Sequence, residues 1–314
     1  YTGSDIRSSG LTYADLDYSY VSDDGAFEYT MRHVEMPQAD ENRTYYRIYV
    51  RFLKDVTYEK GSFSLASFNG RNCTYKYSSY LDENGEEKQI TNATKSGATI
   101  YKLSKNSSYF TLYGIEQKEQ PDMSNFGLIV KNSKIVVGGK ESNVNLGYLN
   151  DWQDKLNYGS LTLSEDVSFK AGDYIDTDVI FLSYGKVGQT NCDNVKQVYN
   201  DSVVNPITIS PTVGKTVIDG YIPTVEAAEN KAEFTLNGGV DGDKEVNYSV
   251  KVTGITKLSR PKLYEKVNGE WVEVKLSSDH GYDGYSVIAE NGKLTYSFVF
   301  TQNRNGKTFR LIVE

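Results

Sequence analysis

Four side chains in the stretch HVEMPQADENRTYYRIYVRF, residues 33–52, have the types and the spacing of a sugar-binding surface. Successive side chains of an extended strand point to opposite faces, so one face of this strand carries Tyr45, Arg47, Tyr49 and Arg51. A tyrosine ring can pack on the apolar C–H face of a sugar, and a guanidinium can donate forked hydrogen bonds to a uronate carboxylate or to hydroxyls. We therefore predict that these four residues bind a ligand. The alternative is a solvated sheet face held by cross-strand contacts.

The opposite face of the same strand carries side chains that are predicted to point into the core, namely Tyr46, Ile48, Val50 and Phe52. A short polar loop lies between the alternating segments 26–36 and 44–53, which predicts that they pair as antiparallel strands. We expect the inward set to be buried, while Tyr45, Arg47 and Tyr49 stay at least partly accessible.

Trp152 is the fifth predicted ligand-binding residue. It lies in LNDWQDKLNYG among polar residues, which favours either a lid over the edge of a sheet or a stacking platform for a sugar. Trp271, in NGEWVEVKL, is instead predicted to pack inside the C-terminal part of the chain.

Asp176 and Asp178 share one face of a strand, at a backbone separation of about 6.5–7 Å. That distance is compatible with a glycosidase pair or with shared calcium ligation. A lyase or hydrolase would use one of these carboxylates together with a tyrosine or with His33, which has Glu35 as a companion two positions on. The simpler interpretation is a partly buried histidine and two aspartates at the wet end of a strand, so no catalytic residue is predicted.

The cysteines and histidines do not suggest a metal centre. Two cysteines, Cys73 and Cys192, and two histidines lack the spacing of a zinc site or of a Cys–His catalytic pair. We expect buried thiols rather than a disulfide, because a domain of this size does not need the covalent link. No cofactor is predicted, although the segment DGDKE, residues 241–245, offers oxygen ligands for a structural calcium ion without the full EF-hand spacing.

Composition and motifs exclude several function classes. The net charge of −8 and the lack of Lys or Arg runs argue against nucleic acid as a partner, and no apolar stretch is long enough to span a membrane. The motifs of nucleophile-elbow hydrolases, nucleotide-binding enzymes and zinc proteases are absent. The excess of tyrosine, 26 against Trp 2, favours strands and wet amphipathic surfaces.

Alternation of polar and apolar residues recurs along the whole chain and predicts an all-β protein. Asn-Gly pairs that begin at Asn84, Asn268, Asn291 and Asn305 mark tight hairpin turns. An interval rich in proline and glycine predicts a boundary between residues 1–214 and 215–314. The first domain holds enough predicted strands for a large two-sheet antiparallel (super-)sandwich, and seven predicted strands match a small immunoglobulin-like β-sandwich in the second.

Three stretches carry a resemblance to known proteins: HVEMPQADENRTYYRIYVRFLKDV, AGDYIDTDVIFLSYG, and VKQVYNDSVVNPITI followed by IPTVEAAENKAEFTLNGG. They resemble regions of large secreted proteins of Gram-positive gut and soil bacteria that accompany polysaccharide-degrading modules. The strand pattern also resembles the galactose-mutarotase-like super-sandwich of many polysaccharide lyases and hydrolases. The resemblance implies a carbohydrate context and other modules in a larger chain, but no particular activity.

These observations predict a secreted or cell-surface module that binds polysaccharide without cleaving it. One alternative is a polysaccharide lyase or glycoside hydrolase. The other is a structural or adhesive surface module, because an immunoglobulin-like fold does not specify its partner.

Overall fold

The computed structural model describes residues 3–10, 13–35, 42–71, 75–92, 97–115, 124–153, 156–185, 188–218, 221–238, 246–276, 285–302 and 306–314. Within these residues the secondary structure is almost entirely β-strand. The strands form mainly antiparallel sheets that pack as sandwiches, so the predicted all-β class and sandwich architecture are confirmed. The predictions for Cys73 and for residues 241–245 lie outside the described residues.

The described strands that precede the helical segment are β1 (Gly3–Gly10), β2 (Tyr13–Val21), β3 (Phe27–Glu35), β4 (Asn42–Phe52), β5 (Val56–Tyr58), β6 (Ser64–Arg71), β7 (Tyr75–Leu81), β8 (Glu87–Thr91), β9 (Gly97–Lys102), β10 (Ser108–Ile115), β11 (Asn125–Val137), β12 (Lys140–Glu141), β13 (Leu146–Gln153), β14 (Leu156–Leu163), β15 (Val167–Phe169) and β16 (Tyr174–Tyr184). The helical segment consists of α1 (Asp193–Tyr199) and a π-helix (Asn200–Val204). The strands that follow it are β17 (Thr208–Val213), β18 (Lys215–Val217), β19 (Thr224–Glu226), β20 (Lys231–Asn237), β21 (Val246–Ile255), β22 (Lys262–Val267), β23 (Glu270–Glu273), β24 (Tyr285–Glu290), β25 (Lys293–Gln302) and β26 (Lys307–Ile312).

A ten-stranded and a four-stranded sheet enclose the larger core. The ten-stranded sheet has the order β1-β2-β3-β4-β16-β11-β10-β7-β8, with β12 paired to β11, and the four-stranded sheet has the order β6-β14-β13-β9. Ile48, Val50 and Phe52 of β4 pack in one cluster with Tyr148 and Leu161 of the smaller sheet. Burial of these apolar surfaces between the two sheets stabilises the sandwich.

Strands β3 and β4 are neighbours in the large sheet, and their side-chain contacts show that they run antiparallel. Arg51 lies beside Glu28, and the rings of Tyr46 and His33 are 4.7 Å apart, so positions along the two strands progress in opposite directions. The predicted pairing is therefore confirmed. Tyr46 is only partly buried, whereas the other three members of the predicted inward set are buried.

Helix α1 packs on part of the outer face of the large sheet. Gly127 allows this close approach, because a Cβ atom at that position would lie 2.7 Å from a methyl group of Val195. The ring of Tyr199 contacts that of Tyr109, at a centroid distance of 5.5 Å.

Just before the helix, Cys192 is a buried free thiol, and burial raises the pKa of this thiol. No helix among the described residues combines the length and apolarity that a membrane crossing requires.

The structure departs from the sequence pattern at one bulge and follows it at a predicted hairpin turn. Alternation of polar and apolar residues is interrupted within residues 126–137, which nevertheless form the single strand β11, whose register with β16 shifts between Val130 and Asn132. The shift indicates a β-bulge, which interrupts the alternation that the prediction relied on. At the β24–β25 turn, Asn291 and Gly292 have φ values of 50° and 75°, as a tight hairpin turn requires.

The chain divides into two compact units. The first unit comprises Tyr1–Asp5, Asp17–His33 and Asp40–Tyr199, and the second comprises Ile6–Leu16, Val34–Ala39 and Asn200–Glu314. The second unit contains two five-stranded sheets, β17-β20-β26-β22-β23 and β18-β19-β21-β25-β24, with a shared hydrophobic core. Strands β19 and β21 pair in parallel.

The proline-rich interval that predicted a domain boundary forms strands β17, β18 and β19. Pro211 lies where the register of β17 with β20 shifts, which suits proline because it cannot donate to a regular ladder. The predicted boundary at residue 214 thus follows a strand that pairs with β20. The boundary itself and the immunoglobulin-like comparison stay predictions.

Candidate functional site

The outer face of the large sheet brings most of the predicted ligand-binding residues together. Strand pairing sets Tyr49 opposite Asp176 and Arg47 opposite Asp178, and on the far side of β16 it sets Lys134 opposite Asp176. These side chains share a face because side chains alternate along each strand. We call this surface the outer patch and define it as Arg47, Tyr49, Arg51, Lys134, Tyr174, Asp176 and Asp178.

Both predicted arginines of the outer patch form ion pairs. Arg47 donates from Nε and Nη2 to the two carboxylate oxygens of Asp176, at 2.9 and 2.7 Å. Arg51 donates from Nη2 to Oε2 of Glu28, at 3.0 Å. About half of each arginine side chain stays exposed, 53% and 51%. Carboxylates therefore orient both guanidinium groups, and both side chains remain partly exposed to solvent.

An aromatic pair lies beside these ion pairs. The rings of Tyr49 and Tyr174 are 5.6 Å apart between centroids and are tilted by 35°. The ammonium of Lys134 lies 5.8 Å from the centroid of the Tyr174 ring. A hydrogen bond with Tyr174 is the main cause that raises the pKa of Lys134. The patch thus offers partly exposed rings with hydrogen-bond donors and acceptors at their edges.

Two predicted ligand-binding residues are not on this exposed surface, and these predictions are corrected. Tyr45 is 4% exposed, and its cross-strand partner Ile180 is also buried. Trp152 lies on strand β13 rather than in a loop, is 8% exposed, and belongs to the core cluster between the two sheets. Neither side chain can serve as an open stacking platform.

The carboxylates considered for catalysis also lie on the outer patch. Both oxygens of Asp176 accept from Arg47, and Oδ2 of Asp178 accepts from the amide of Asn132 at 2.6 Å. Burial lowers the pKa of the neighbouring Lys131, and the charge of Asp178 opposes that shift. Both carboxylates therefore already have partners within the protein.

His33 is partly buried against the ring of Tyr46, as the sequence predicted.

Sequence reasoning missed two members of the outer patch. Tyr174 lies two positions before Asp176 on the same strand, so alternation alone was enough to place it on this face. Lys134 reaches this face through the pairing of β11 with β16, which is shifted by a bulge that the local sequence does not predict.

The prediction that Trp271 packs inside the C-terminal part of the chain is wrong. Trp271 is partly exposed and does not belong to the hydrophobic core of the second unit.

Among the described residues, no three His, Cys, Asp or Glu side chains lie close enough together to hold a metal ion.

No family model and no curated protein matches this sequence. Among solved structures, the chain is similar to the galactosidase domain of an α-galactosidase-sucrose kinase, at 12% identity and a TM-score of 0.36, over 58% of this chain and 25% of that chain. It is also similar to a galactose mutarotase related enzyme from Lactobacillus acidophilus, at 8% identity and a TM-score of 0.29, over 60% of this chain and 73% of that one. TM-scores below 0.5 at such identities establish neither a shared fold nor a shared function.

Proposed function

We propose that this chain is a secreted or cell-surface module that binds polysaccharide on the outer patch without cleaving it, alongside other modules of a larger protein. The observation that carries the proposal is the partly exposed pair Tyr49 and Tyr174, which lies beside oriented ion pairs on the outer face of the sheet. The rings supply apolar surface for the C–H faces of a sugar. The ion pairs supply donors and acceptors for its hydroxyl groups.

The ion pairs also favour a neutral sugar on this patch. Two N–H groups of Arg47 already donate to Asp176, so a uronate carboxylate would compete with that pair. Arg51 is similarly paired with Glu28. We therefore expect neutral polymers to be retained at least as well as uronate polymers. Their retention should change little as salt is raised, because the local charges are already compensated.

The test begins with a broad glycan panel that identifies an insoluble polysaccharide to which the natural chain binds. Binding of the Tyr49→Ala and Tyr174→Ala variants to that polysaccharide is then measured. Each variant should bind about 1–3 kcal/mol more weakly, because it loses apolar contact area with the sugar. Tyr158→Ala is the matched control, since Tyr158 is a partly exposed tyrosine on the four-stranded sheet. Failure of the natural chain to bind any glycan of the panel would remove the proposal and favour an adhesive role.

Catalysis is the other outcome that the same panel can reveal. A lyase or hydrolase that used Asp176 would need this carboxylate to leave Arg47, and a bidentate ion pair would be lost. Incubation of each retained polymer with the natural chain and with Asp176→Asn should give no new reducing ends in either case. Release of reducing ends by the natural chain alone would establish an enzyme.

A further inference from the structure

A second, partly exposed cluster lies in the second unit, around Trp271 of the edge strand β23. Trp271 pairs with Lys266, and Tyr264 of the same strand as Lys266 pairs with Arg310. The alternate positions on these strands, such as Leu263 and Leu311, are buried in the core. Alternation therefore places Trp271 and its neighbours on the outward face of this sheet.

The indole of Trp271 has a cation fixed over it. The guanidinium carbon of Arg310 lies 4.0 Å from the ring centroid, and the ammonium of Lys266 lies 5.7 Å from it. Arg310 donates from Nε to Oε1 of Glu233 at 2.9 Å, and Lys231 contacts the same oxygen at 2.8 Å. One carboxylate therefore holds the guanidinium in position before any ligand arrives.

Several donors of this cluster remain available to a ligand. Among the described residues, neither the indole N–H of Trp271 nor the terminal Nη groups of Arg310 have a hydrogen-bond partner in the protein. The Arg310 side chain is 26% exposed, and Trp271 is also partly exposed. The indole, guanidinium and ammonium groups can only donate, so a ligand must supply the acceptors.

We infer that Trp271, Arg310 and Lys266 form a second binding surface, specific for an acidic sugar. The C–H face of a pyranose ring would pack on the indole face opposite the stacked Arg310 guanidinium, and the carboxylate of a uronate would accept from the Nη groups of Arg310 and from Lys266. The surface differs from the outer patch, where each arginine uses a terminal Nη group in its ion pair. Arg310 is paired with Glu233 through Nε, so its Nη groups remain available. It does not depend on the function proposed for that patch.

The experiment uses Trp271 as its own reporter. Trp152→Phe leaves Trp271 as the single tryptophan, because the chain has Trp 2 in total. The fluorescence of this variant is titrated with a galacturonate trisaccharide and, separately, with the neutral maltotriose. We expect a saturable change with the galacturonate trisaccharide, at least tenfold weaker apparent affinity for maltotriose, and weaker galacturonate binding in high salt.

Arg310→Gln in the same background should reduce galacturonate affinity at least tenfold, and Lys266→Ala should reduce it less. Arg260→Gln is the matched control, because Arg260 is an exposed arginine of the same unit. Tyr49→Ala should leave the Trp271 signal intact, which separates this inference from the proposed function. The inference is wrong if galacturonate causes no change, if maltotriose binds equally well, or if Lys266→Ala and Arg310→Gln, each checked for native circular dichroism, bind as the control does.

Discussion

At the scale of single residues, Trp152 illustrates how an indole contributes by packing. It shares its inward phase on β13 with Leu146 and Tyr148, which belong to the same core cluster. Its side chain is 8% exposed, so nearly all of its surface contacts protein. A buried indole contributes to stability through its contact area and through the space that it fills.

Replacement of Trp152 by alanine should therefore affect stability and not binding. We expect Trp152→Ala to lower the free energy of unfolding by about 3–5 kcal/mol, because it leaves a large cavity between the sheets. Urea denaturation followed by circular dichroism measures this loss, and Trp152→Phe, which retains a ring, should lose less. Reduced glycan binding with unchanged stability would show instead that Trp152 contacts the ligand.

The ion pair between Arg47 and Asp176 contributes little to stability but orients a side chain of the outer patch. Its two side chains are 53% and 25% exposed, so solvent screens the attraction and the pair contributes about 0.2–1 kcal/mol to stability. Its bidentate geometry nevertheless holds the guanidinium in one plane beside Tyr49. The pair thus matters more for the order of the outer patch than for the stability of the sheet.

At the scale of elements, Asp173 fixes the connection between β11 and β12. Its carboxylate is 2% exposed and accepts from the backbone N–H groups of Lys170, Gly138 and Gly139, at 2.7 to 2.9 Å. Both glycines have positive φ values, 60° and 75°. Burial acts to raise the pKa of Asp173, but the three backbone hydrogen bonds outweigh it, and the pKa is lowered overall.

This lowered pKa gives Asp173 a defined contribution to the dependence of stability on pH. The stabilisation is fully present above the unfolded-state pKa of about 3.9 and is lost as the pH falls through the lower folded-state pKa. Asp173→Asn should lower the free energy of unfolding by about 1–3 kcal/mol at pH 7, and the difference should shrink in acid. Urea midpoints at neutral and acidic pH measure it, with the exposed Asp23→Asn as control. A difference that does not depend on pH would contradict this account.

At the scale of the whole molecule, the second compact unit is formed by segments that are distant from one another in the sequence. It includes Ile6–Leu16 and Val34–Ala39 in addition to Asn200–Glu314. The conventional way to isolate it would be to express the C-terminal segment alone. Such a fragment lacks two segments that belong to the same compact unit.

We therefore expect the fragment 200–314 to be less stable than the same unit in the full chain. Each kcal/mol lost should lower its melting temperature by about 4–8 °C, given its size. Calorimetry of the fragment and of the full chain provides the comparison. Equal melting temperatures for the fragment and for the corresponding transition of the full chain would show that the two N-terminal segments contribute nothing.

The sequence by itself determined the strands and many of their turns. Alternation is a local property, so it located β4 and β16 and correctly assigned Ile48, Val50 and Phe52 to the core. Hairpin turns such as that at Asn291 follow from the backbone preferences of Asn and Gly alone. None of these features depends on residues that are distant along the chain.

Only the tertiary structure decided which of the alternating faces are covered. Tyr45 and Tyr49 have the same phase on one strand, yet Tyr45 is buried and Tyr49 is partly exposed. Trp152 is buried because its sheet faces a second sheet, whereas Trp271 lies on the outward face of an edge strand. Alternation identifies two faces, but the elements that cover one of them come from far along the chain, and no local pattern specifies where they pack.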